Sequence, residues 1–178
     1  MQRVIESFIA AAKFFKETGM DGVMIHAGHE WLLHQFLSPR TNQRTNAYGG
    51  SLENRTRFPF AVIKGVSDAM GKDFIIEIRV SGEKRVENGM KLDETMEFCK
   101  IAEPYVDLIH MSVGVYRETV LAGGFSSVFK EHGLNAWKSE VLKEEVKVPV
   151  VVVGGINSPD LAEELIAHGK CDFVALGR

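Results

Sequence analysis

Apolar residues along this chain follow two alternating patterns. Five short runs are almost continuously apolar and have the length of β-strands, whereas the stretches between them carry apolar residues at helical spacing. The runs are DGVMIHA from Asp21, DFIIEIRVS from Asp73, VDLIHMSVG from Val106, VPVVVVGGI from Val148 and CDFVALGR from Cys171. Strands that alternate with helices predict βαβ units, and therefore an α/β fold with a parallel sheet.

Terminus signals mark most of the predicted helices. Ser and Asp are common N-caps, and glycine commonly follows the last helical turn. The predicted helices are Gln2 to Glu17, Ser51 to Met70 followed by Gly71, a helix capped by Asp93 that runs to Pro104, about Ala136 to Val146, and Ser158 to Gly169 with Pro159 in its first turn.

Two α/β architectures fit this order of elements: an open doubly wound sheet and a (β/α)8 barrel. No G-x-G-x-x-G sequence opens a predicted helix, which disfavours a dinucleotide-binding doubly wound sheet. A barrel needs eight strands and about 250 residues, whereas only five strands are predicted in 178 residues. The pattern alone leaves open a small five-stranded α/β protein and a fragment of a longer barrel enzyme.

Composition disfavours several classes of function. The formal net charge of −3 lacks the basic excess of nucleic-acid-binding proteins, and no apolar run approaches the roughly 20 residues that span a bilayer. Cys99 and Cys171 lie far apart, so neither a disulfide framework nor a cysteine-bound metal is indicated. We expect a protein of the reducing cytoplasm that acts on a small molecule, without a nucleic acid or membrane partner. The sequence does not specify its oligomeric state.

Three histidines follow the first predicted strand within nine positions: His26, His29 and His34. Zinc sites use three or four ligands, and the chain has no second Cys/His cluster, so a metal site is disfavoured. From spacing alone, the three are better interpreted as loop histidines with local hydrogen bonds. His34 in particular is expected to be an exposed loop residue without a functional role.

The ends of the last two predicted strands favour a phosphate site. Gly154 and Gly155 follow one strand, and Gly177 and Arg178 follow the next. Glycines let backbone N–H groups approach a phosphate closely, and barrel enzymes commonly bind phosphate at these two strand ends. Arginine adds a charge-assisted contact. The phosphate could belong to a cofactor or to a sugar-phosphate substrate.

A long continuous motif carries a family resemblance. The stretch IHAGHEWLLHQFLSPRTNQRTNAYGGSLENRTRF, from Ile25 to Phe58, resembles the signature of the Old Yellow Enzyme family of flavin-dependent oxidoreductases, also called NADH:flavin oxidoreductases. The likeness continues through IRVSGE, VGGINSP and ALGR, so it spans essentially the whole chain. Asn46 and Ala47 depart from the signature, which commonly has an acidic residue there.

The resemblance implies a (β/α)8 TIM barrel that carries FMN at the C-terminal ends of its strands. Residues 1–178 would then form an incomplete FMN-binding barrel, about strands four to eight with their helices. NAD(P)H is the implied reductant. Larger members of the family add an iron–sulfur cluster and FAD, which would lie only in a region beyond this chain.

The resemblance also assigns roles around the histidines. His26 and His29 match a catalytic pair of donors that hold the substrate carbonyl oxygen, where negative charge develops as hydride adds to an enone. Trp31 stands where the family commonly has a proton-donating tyrosine. An indole N–H is not a usable acid at neutral pH, so Trp31 is expected to be a flat wall of the substrate site instead.

Cofactor contacts are implied for Arg79 and for the two strand ends. Arg79 matches an arginine beside the pyrimidine edge of the flavin, although an ion pair with Glu77 or Glu83 would also explain it. The residues matched to the FMN phosphate are Gly154, Gly155, Gly177 and Arg178.

The implied function is hydride transfer from flavin to an activated alkene, such as an α,β-unsaturated carbonyl or a dienoyl thioester. Three alternatives stay open. The same scaffold could be a flavin-dependent amine dehydrogenase, with Trp31 facing a cation. It could be a flavin-free, phosphate-binding barrel isomerase. The chain as given could also be an inactive fragment whose unpaired strand edges favour aggregation.

Overall fold

The computed structural model describes residues 1–82, 87–114 and 131–177. One sheet contains the strands β1 (Gly22–Ala27), β2 (Ile75–Ser81), β3 (Leu108–Ser112), β4 (Val150–Val153) and β5 (Phe173–Ala175). The α-helices of the described residues are α1 (Gln2–Glu17), α2 (Leu32–Leu37), α3 (Leu52–Met70), α4 (Leu92–Ala102), α5 (Ala136–Glu145) and α6 (Pro159–Ala167). A 3₁₀ turn, Glu103–Tyr105, follows α4.

The order of the strands decides between the two predicted architectures. The sheet runs β1-β2-β3-β4-β5, and every neighbouring pair is parallel. A doubly wound sheet reverses its strand order at a switch point, and no reversal occurs among these strands. Successive parallel strands joined by right-handed crossovers place their helices on one side of the sheet. The α/β prediction is therefore confirmed, and the arrangement is that of part of a barrel.

The two faces of the sheet differ in burial. Side chains that face the helices are almost completely enclosed, including Ile78, Ile109 and Val150. On the opposite face Met24 and Ile75 each retain 48% of their accessible surface, although nearly continuous apolar strands predict cover on both faces. Towards the C-terminal ends of the strands this second face becomes polar.

Two local predictions need correction. The segment after β1 was expected to be a loop, but Leu32–Leu37 form helix α2. The helix capped by Asp93 instead begins at Leu92, with the Glu94 carboxylate accepting a hydrogen bond of 3.0 Å from the Lys91 backbone N–H. That contact satisfies an N–H group at the start of the helix from inside its first turn. By contrast, Ser51 and Ser158 cap α3 and α6 as predicted.

Arg55, near the end of the long motif, connects α2 and α3 to α4. Its buried guanidinium donates to the carbonyls of Leu37 and Gly50 and to the Glu94 carboxylate. One side chain thereby joins the end of α2, the turn before α3 and the start of α4. Arg57, which the same motif contains, lies exposed and contacts Glu53 one helical turn away. Arg55 therefore ties α2, which follows the segment with His26 and His29, to α3 and α4.

Candidate functional site

Polar side chains line the C-terminal edge of the first three strands. His26 of β1 lies in register with Arg79 of β2, which lies in register with His110 of β3. Two residues further on, Ser81 lies in register with Ser112. Side chains two apart on a strand share a face, so these five residues face the same side of the sheet.

A tight turn carries His29 from the end of β1 towards this edge. His29 and Glu30 both adopt a positive φ, 56° and 61°, which is uncommon for residues with a side chain. The turn is held by the His29 backbone N–H, which donates to Ser81 Oγ at 2.9 Å. Gly28 allows this approach, because a Cβ there would lie 2.9 Å from Ser81 Oγ.

His34 is not the exposed loop residue that the sequence suggested. It lies on α2 with only 1% of its surface exposed. Its Nδ1 accepts a hydrogen bond of 2.8 Å from the Glu30 backbone N–H. His34 therefore stabilises the strained turn next to His29, and the sequence missed this because the short helix α2 was not predicted.

A continuous set of hydrogen bonds joins His26 to Arg79. His26 Nε2 lies 3.2 Å from His29 Nδ1, and His29 Nε2 lies 2.8 Å from Ser112 Oγ. The same serine oxygen accepts a hydrogen bond of 3.3 Å from Arg79 Nη2. The structure therefore brings together three side chains near Ser112: His26, His29 and Arg79. They lie up to 53 positions apart in the sequence.

Burial and positive charge keep the two imidazoles neutral. Burial, followed by the Arg79 guanidinium, lowers the pKa of His29 from 6.5 to about 4. The same two causes, in the same order, lower the pKa of His26. Each ring therefore carries one N–H donor and no net charge near pH 7. Within the described residues, His26 Nδ1 and Arg79 Nε are buried and have no hydrogen-bond partner.

The lowered pKa of His29 predicts a pH-dependent stability. Unfolded His29 takes up a proton near pH 6.5, whereas folded His29 does so near pH 4. Between these values the unfolded state binds more protons, so the free energy of unfolding falls as the pH drops from about 6.5 towards 4. We expect urea unfolding of the wild type to lose about 1–2 kcal/mol more than His29→Asn between pH 7 and pH 5.

Asparagine is the suitable replacement because it tolerates the positive φ at this position. The other titrating groups remain in both proteins, so the difference between the two pH responses isolates His29. Equal losses in wild type and variant would contradict the assigned pKa.

Sequence reasoning overlooked the pair formed by Glu77 and His110. Glu77 Oε1 lies 2.8 Å from His110 Nδ1, so the carboxylate is hydrogen-bonded to this histidine and acts on Arg79 only through its charge. His110 is 5% exposed, and its Nε2 has no hydrogen-bond partner among the described residues. A histidine inside the otherwise apolar run VDLIHMS was the available signal. Glu83, the other carboxylate considered for Arg79, lies outside the described residues.

Trp31 lies at the mouth of this edge. It is the residue before α2, and 58% of its surface is exposed. An indole in that position offers a flat apolar surface beside the His29 turn. This placement is compatible with the predicted substrate wall.

The turn after β4 is held by a second segment of the chain. The carbonyl of Val153 accepts a hydrogen bond of 2.7 Å from Asn135 Nδ2, that of Gly154 accepts one of 3.1 Å from Gly133 N, and that of Gly155 accepts one of 2.7 Å from His132 Nδ1. Three successive carbonyls therefore point towards residues 132–135. Each peptide is trans, so the three N–H groups of the same peptides point the opposite way.

Gly177 lies at the neighbouring strand end. It follows β5, whose Ala175 is in register with Val153 of β4, and it is exposed. A Cβ on Gly177 would meet no described atom within 4 Å. Arg178, the remaining residue of the predicted phosphate group, lies outside the described residues.

Residues 1–82, 87–114 and 131–177 contain neither a candidate metal site nor a candidate membrane span. No group of three or more His, Cys, Asp and Glu side chains is arranged to hold a metal ion. None of the helices there combines the length and the apolar character that crossing a membrane requires.

The sequence of the chain matches a known protein family. Residues 1–178 match the model of the NADH:flavin oxidoreductase / NADH oxidase family. An NADH oxidase of Thermoanaerobacter brockii is 40% identical over 181 residues, which cover 100% of this chain and 27% of the relative. A cinnamate reductase of Clostridium sporogenes is 34% identical, over 100% of this chain and 29% of the relative. The chain thus spans less than a third of either protein.

Solved structures show the same fold. A 2-naphthoyl-CoA reductase in complex with 2-naphthoyl-CoA superposes with a TM-score of 0.91 at 32% identity, covering 98% of this chain and 27% of the other. Histamine dehydrogenase from Rhizobium sp. 4-9 superposes with a TM-score of 0.87, also at 32% identity, covering 99% of this chain and 25% of the other.

Proposed function

Because this chain belongs to the NADH:flavin oxidoreductase / NADH oxidase family, we propose that it forms the FMN-binding and acceptor-binding edge of an enzyme that reduces activated alkenes with NAD(P)H. One observation carries the proposal: Ser112 Oγ contacts both His29, on the acceptor side, and Arg79, on the flavin side. The groups that would hold the acceptor and the groups that would hold the cofactor therefore adjoin.

The residues present fit FMN at two places. The turn after β4 directs three successive backbone N–H groups away from residues 132–135, and such a set of N–H groups forms an anion-binding nest. No loop or side-chain hydrogen bond within the described residues uses these groups as donors. They would bind the phosphate, together with Gly177 and Arg178. Arg79 Nε, buried and unpartnered there, would meet the flavin ring.

Bound FMN, once reduced by NAD(P)H, would supply a hydride to the β-carbon of the acceptor, and water would supply the proton to its α-carbon. His26 and His29 hold the acceptor oxygen and stabilise the negative charge that develops on it. Each neutral ring has one N–H, and the contact between His26 Nε2 and His29 Nδ1 uses one of the two. Both rings can therefore donate to the acceptor oxygen only when it displaces this mutual contact as well as Ser112 Oγ. Arg79 keeps a positive charge near the reacting atoms, and Trp31 excludes water from one side.

The charge of the site favours an alkene acceptor over an amine. Histamine dehydrogenase has the same fold, and an exposed tryptophan can bind a cation. However, Arg79 places a fixed positive charge beside both histidines, close enough to lower the pKa of each. A cationic amine would be repelled, whereas an acceptor that gains negative charge is attracted. The relatives include both kinds of enzyme, so the choice rests on the charge of the site.

The deciding experiment follows the flavin absorbance of the purified full-length protein. We expect it to bind FMN, to lose the visible absorbance on addition of NADH or NADPH, and to recover it when an α,β-unsaturated carbonyl is added under anaerobic conditions. Reduction by histamine or methylamine, without any effect of the enone, would replace the proposal by the amine branch. A protein that binds no FMN would rule out both.

Gly177→Ala tests the phosphate position directly. The new Cβ meets no described atom, so the free energy of unfolding should change by less than about 0.5 kcal/mol. It would instead occupy the space that the phosphate needs, so we expect the Kd for FMN to rise about tenfold and the Kd for riboflavin to stay the same. Unchanged FMN affinity would place the phosphate elsewhere.

A further inference from the structure

Residues 132–135 lie directly against the proposed phosphate turn. We propose that Asn135 and His132 are positioning residues, which orient the backbone N–H groups of Gly154, Gly155 and Ile156 towards the FMN phosphate. This inference rests on the proposed function. It goes further by assigning a role to a segment that carries no phosphate contact of its own.

The first argument is the behaviour of the Asn135 side chain. Asn135 occupies the N-cap position of α5, where an asparagine normally accepts a hydrogen bond from the helix. Its side chain makes no such bond, and Nδ2 donates to the Val153 carbonyl 18 residues away. Only 3% of Asn135 is exposed. The Asn135 side chain therefore binds the end of β4 and leaves the start of α5 without a side-chain cap.

The second argument is steric. Gly154 adopts φ 142°, and a Cβ on it would lie 2.4 Å from Asn135 Nδ2. Asn135 therefore packs so closely against residue 154 that only glycine fits there. The close fit fixes the peptide between Val153 and Gly154 against Asn135, and with it the direction of the Gly154 N–H.

The third argument is the number of carbonyls involved. Gly133 N and His132 Nδ1 bind the next two carbonyls, so no peptide of the turn is free to rotate. An isolated glycine turn adopts many conformations, so ordering it when phosphate binds would cost conformational entropy. Fixing one conformation already in the folded protein removes this entropic cost from phosphate binding. In metal sites, groups that orient the metal ligands commonly change affinity about 10–100-fold when they are removed, and we expect an effect of the same order here.

The test compares two flavins that differ only in the phosphate. Full-length protein is stripped of flavin, and Kd is measured by fluorescence for FMN and for riboflavin. We expect Asn135→Ala and His132→Ala each to raise the Kd for FMN about tenfold and to leave the Kd for riboflavin within about twofold. His132→Asn should restore FMN affinity, because an asparagine amide can donate to the Gly155 carbonyl as Nδ1 does.

Matched controls separate positioning from general destabilisation. His168 is an exposed histidine whose Nδ1 also contacts a backbone carbonyl, that of Glu164. Asn54 is an asparagine whose Nδ2 also contacts a glycine carbonyl, that of Gly49. His168→Ala and Asn54→Ala should leave the ratio of the two Kd values unchanged.

The measured Kd values for FMN and riboflavin test the inference and the proposed function separately. A loss confined to FMN supports the inference. Equal weakening of FMN and riboflavin, or no weakening of either, overturns it while leaving the proposed function in place. A wild-type protein that binds FMN no better than riboflavin would overturn the phosphate site itself. If Asn135→Ala does not fold, the exposed His132 still provides the same comparison.

Discussion

His26→Leu should lower the rate at which the FMN-loaded protein reduces an α,β-unsaturated carbonyl by a factor of about 10²–10³. Leucine has nearly the size of the imidazole but has no donor, so the oxygen of the acceptor would lose one of two hydrogen bonds as its charge grows. The rate is measured by mixing chemically pre-reduced protein with a saturating concentration of the enone and following the return of flavin absorbance.

Two comparisons make this result specific. His26→Asn keeps an N–H donor near the same place and should retain more activity than His26→Leu. His168→Leu changes an exposed histidine far along the chain, on the C-cap of α6, and should have no effect. A rate for His26→Leu within about threefold of the wild type, with normal FMN content, would remove His26 from the acceptor site.

Arg55→Met should reduce the free energy of unfolding by about 3–5 kcal/mol. Arg55 is 4% exposed and has partners in three elements. Its loss removes one of two donors to the Glu94 carboxylate, the other being the Lys91 N–H, and the side-chain donor to the carbonyls of Leu37 and Gly50. Unpaired buried groups, and a buried charge above all, are costly. Urea unfolding of wild type and variant measures the difference.

Arg57→Met is the matched control on the same helix. Arg57 makes an exposed ion pair of 2.6 Å with Glu53, one helical turn away, and exposed pairs of this kind contribute little. We expect a change below about 0.5 kcal/mol. Similar values for the two variants would mean that the buried cluster around Arg55 does not stabilise the protein.

Both predictions concern the same assembly. Arg55 holds the end of α2, α2 presents His34, and His34 binds the Glu30 N–H in the turn that carries His29. A loss of Arg55 should therefore also reach the His26–His29 pair. Residues 51–58, at the end of the motif that identifies the family, are in this sense a support for the acceptor site, whereas residues 26–31 near its start belong to that site.

Local patterns in the sequence were sufficient for the five strands, for the helices other than α2 and for the fold class. The apolar runs, the N-caps Ser51 and Ser158 and the alternation of strand and helix predicted the parallel α/β sheet, and the structure confirms it. The motif from Ile25 to Phe58 predicted the family, and the family model confirms that. These features are contiguous, so a single sequence displays them.

The candidate site was predicted less completely. The assigned roles of His26, His29, Trp31, Arg79 and the glycines stay predictions. The structure adds their placement: His26, His29 and Arg79 around Ser112, and the glycines at the ends of β4 and β5. His34 was wrongly expected to be exposed, because a six-residue helix has too few turns to show a period.

The sequence by itself determined which segments are strands, where most helices begin and which family the motif resembles, since each depends on neighbouring residues. Only the tertiary structure decided that Glu77 pairs with His110, that Ser112 joins His29 to Arg79, and that Asn135 orients the turn at Gly154. The reason is that these contacts connect residues 18 to 83 positions apart. Their existence follows from strand order and parallel register, which no local pattern encodes.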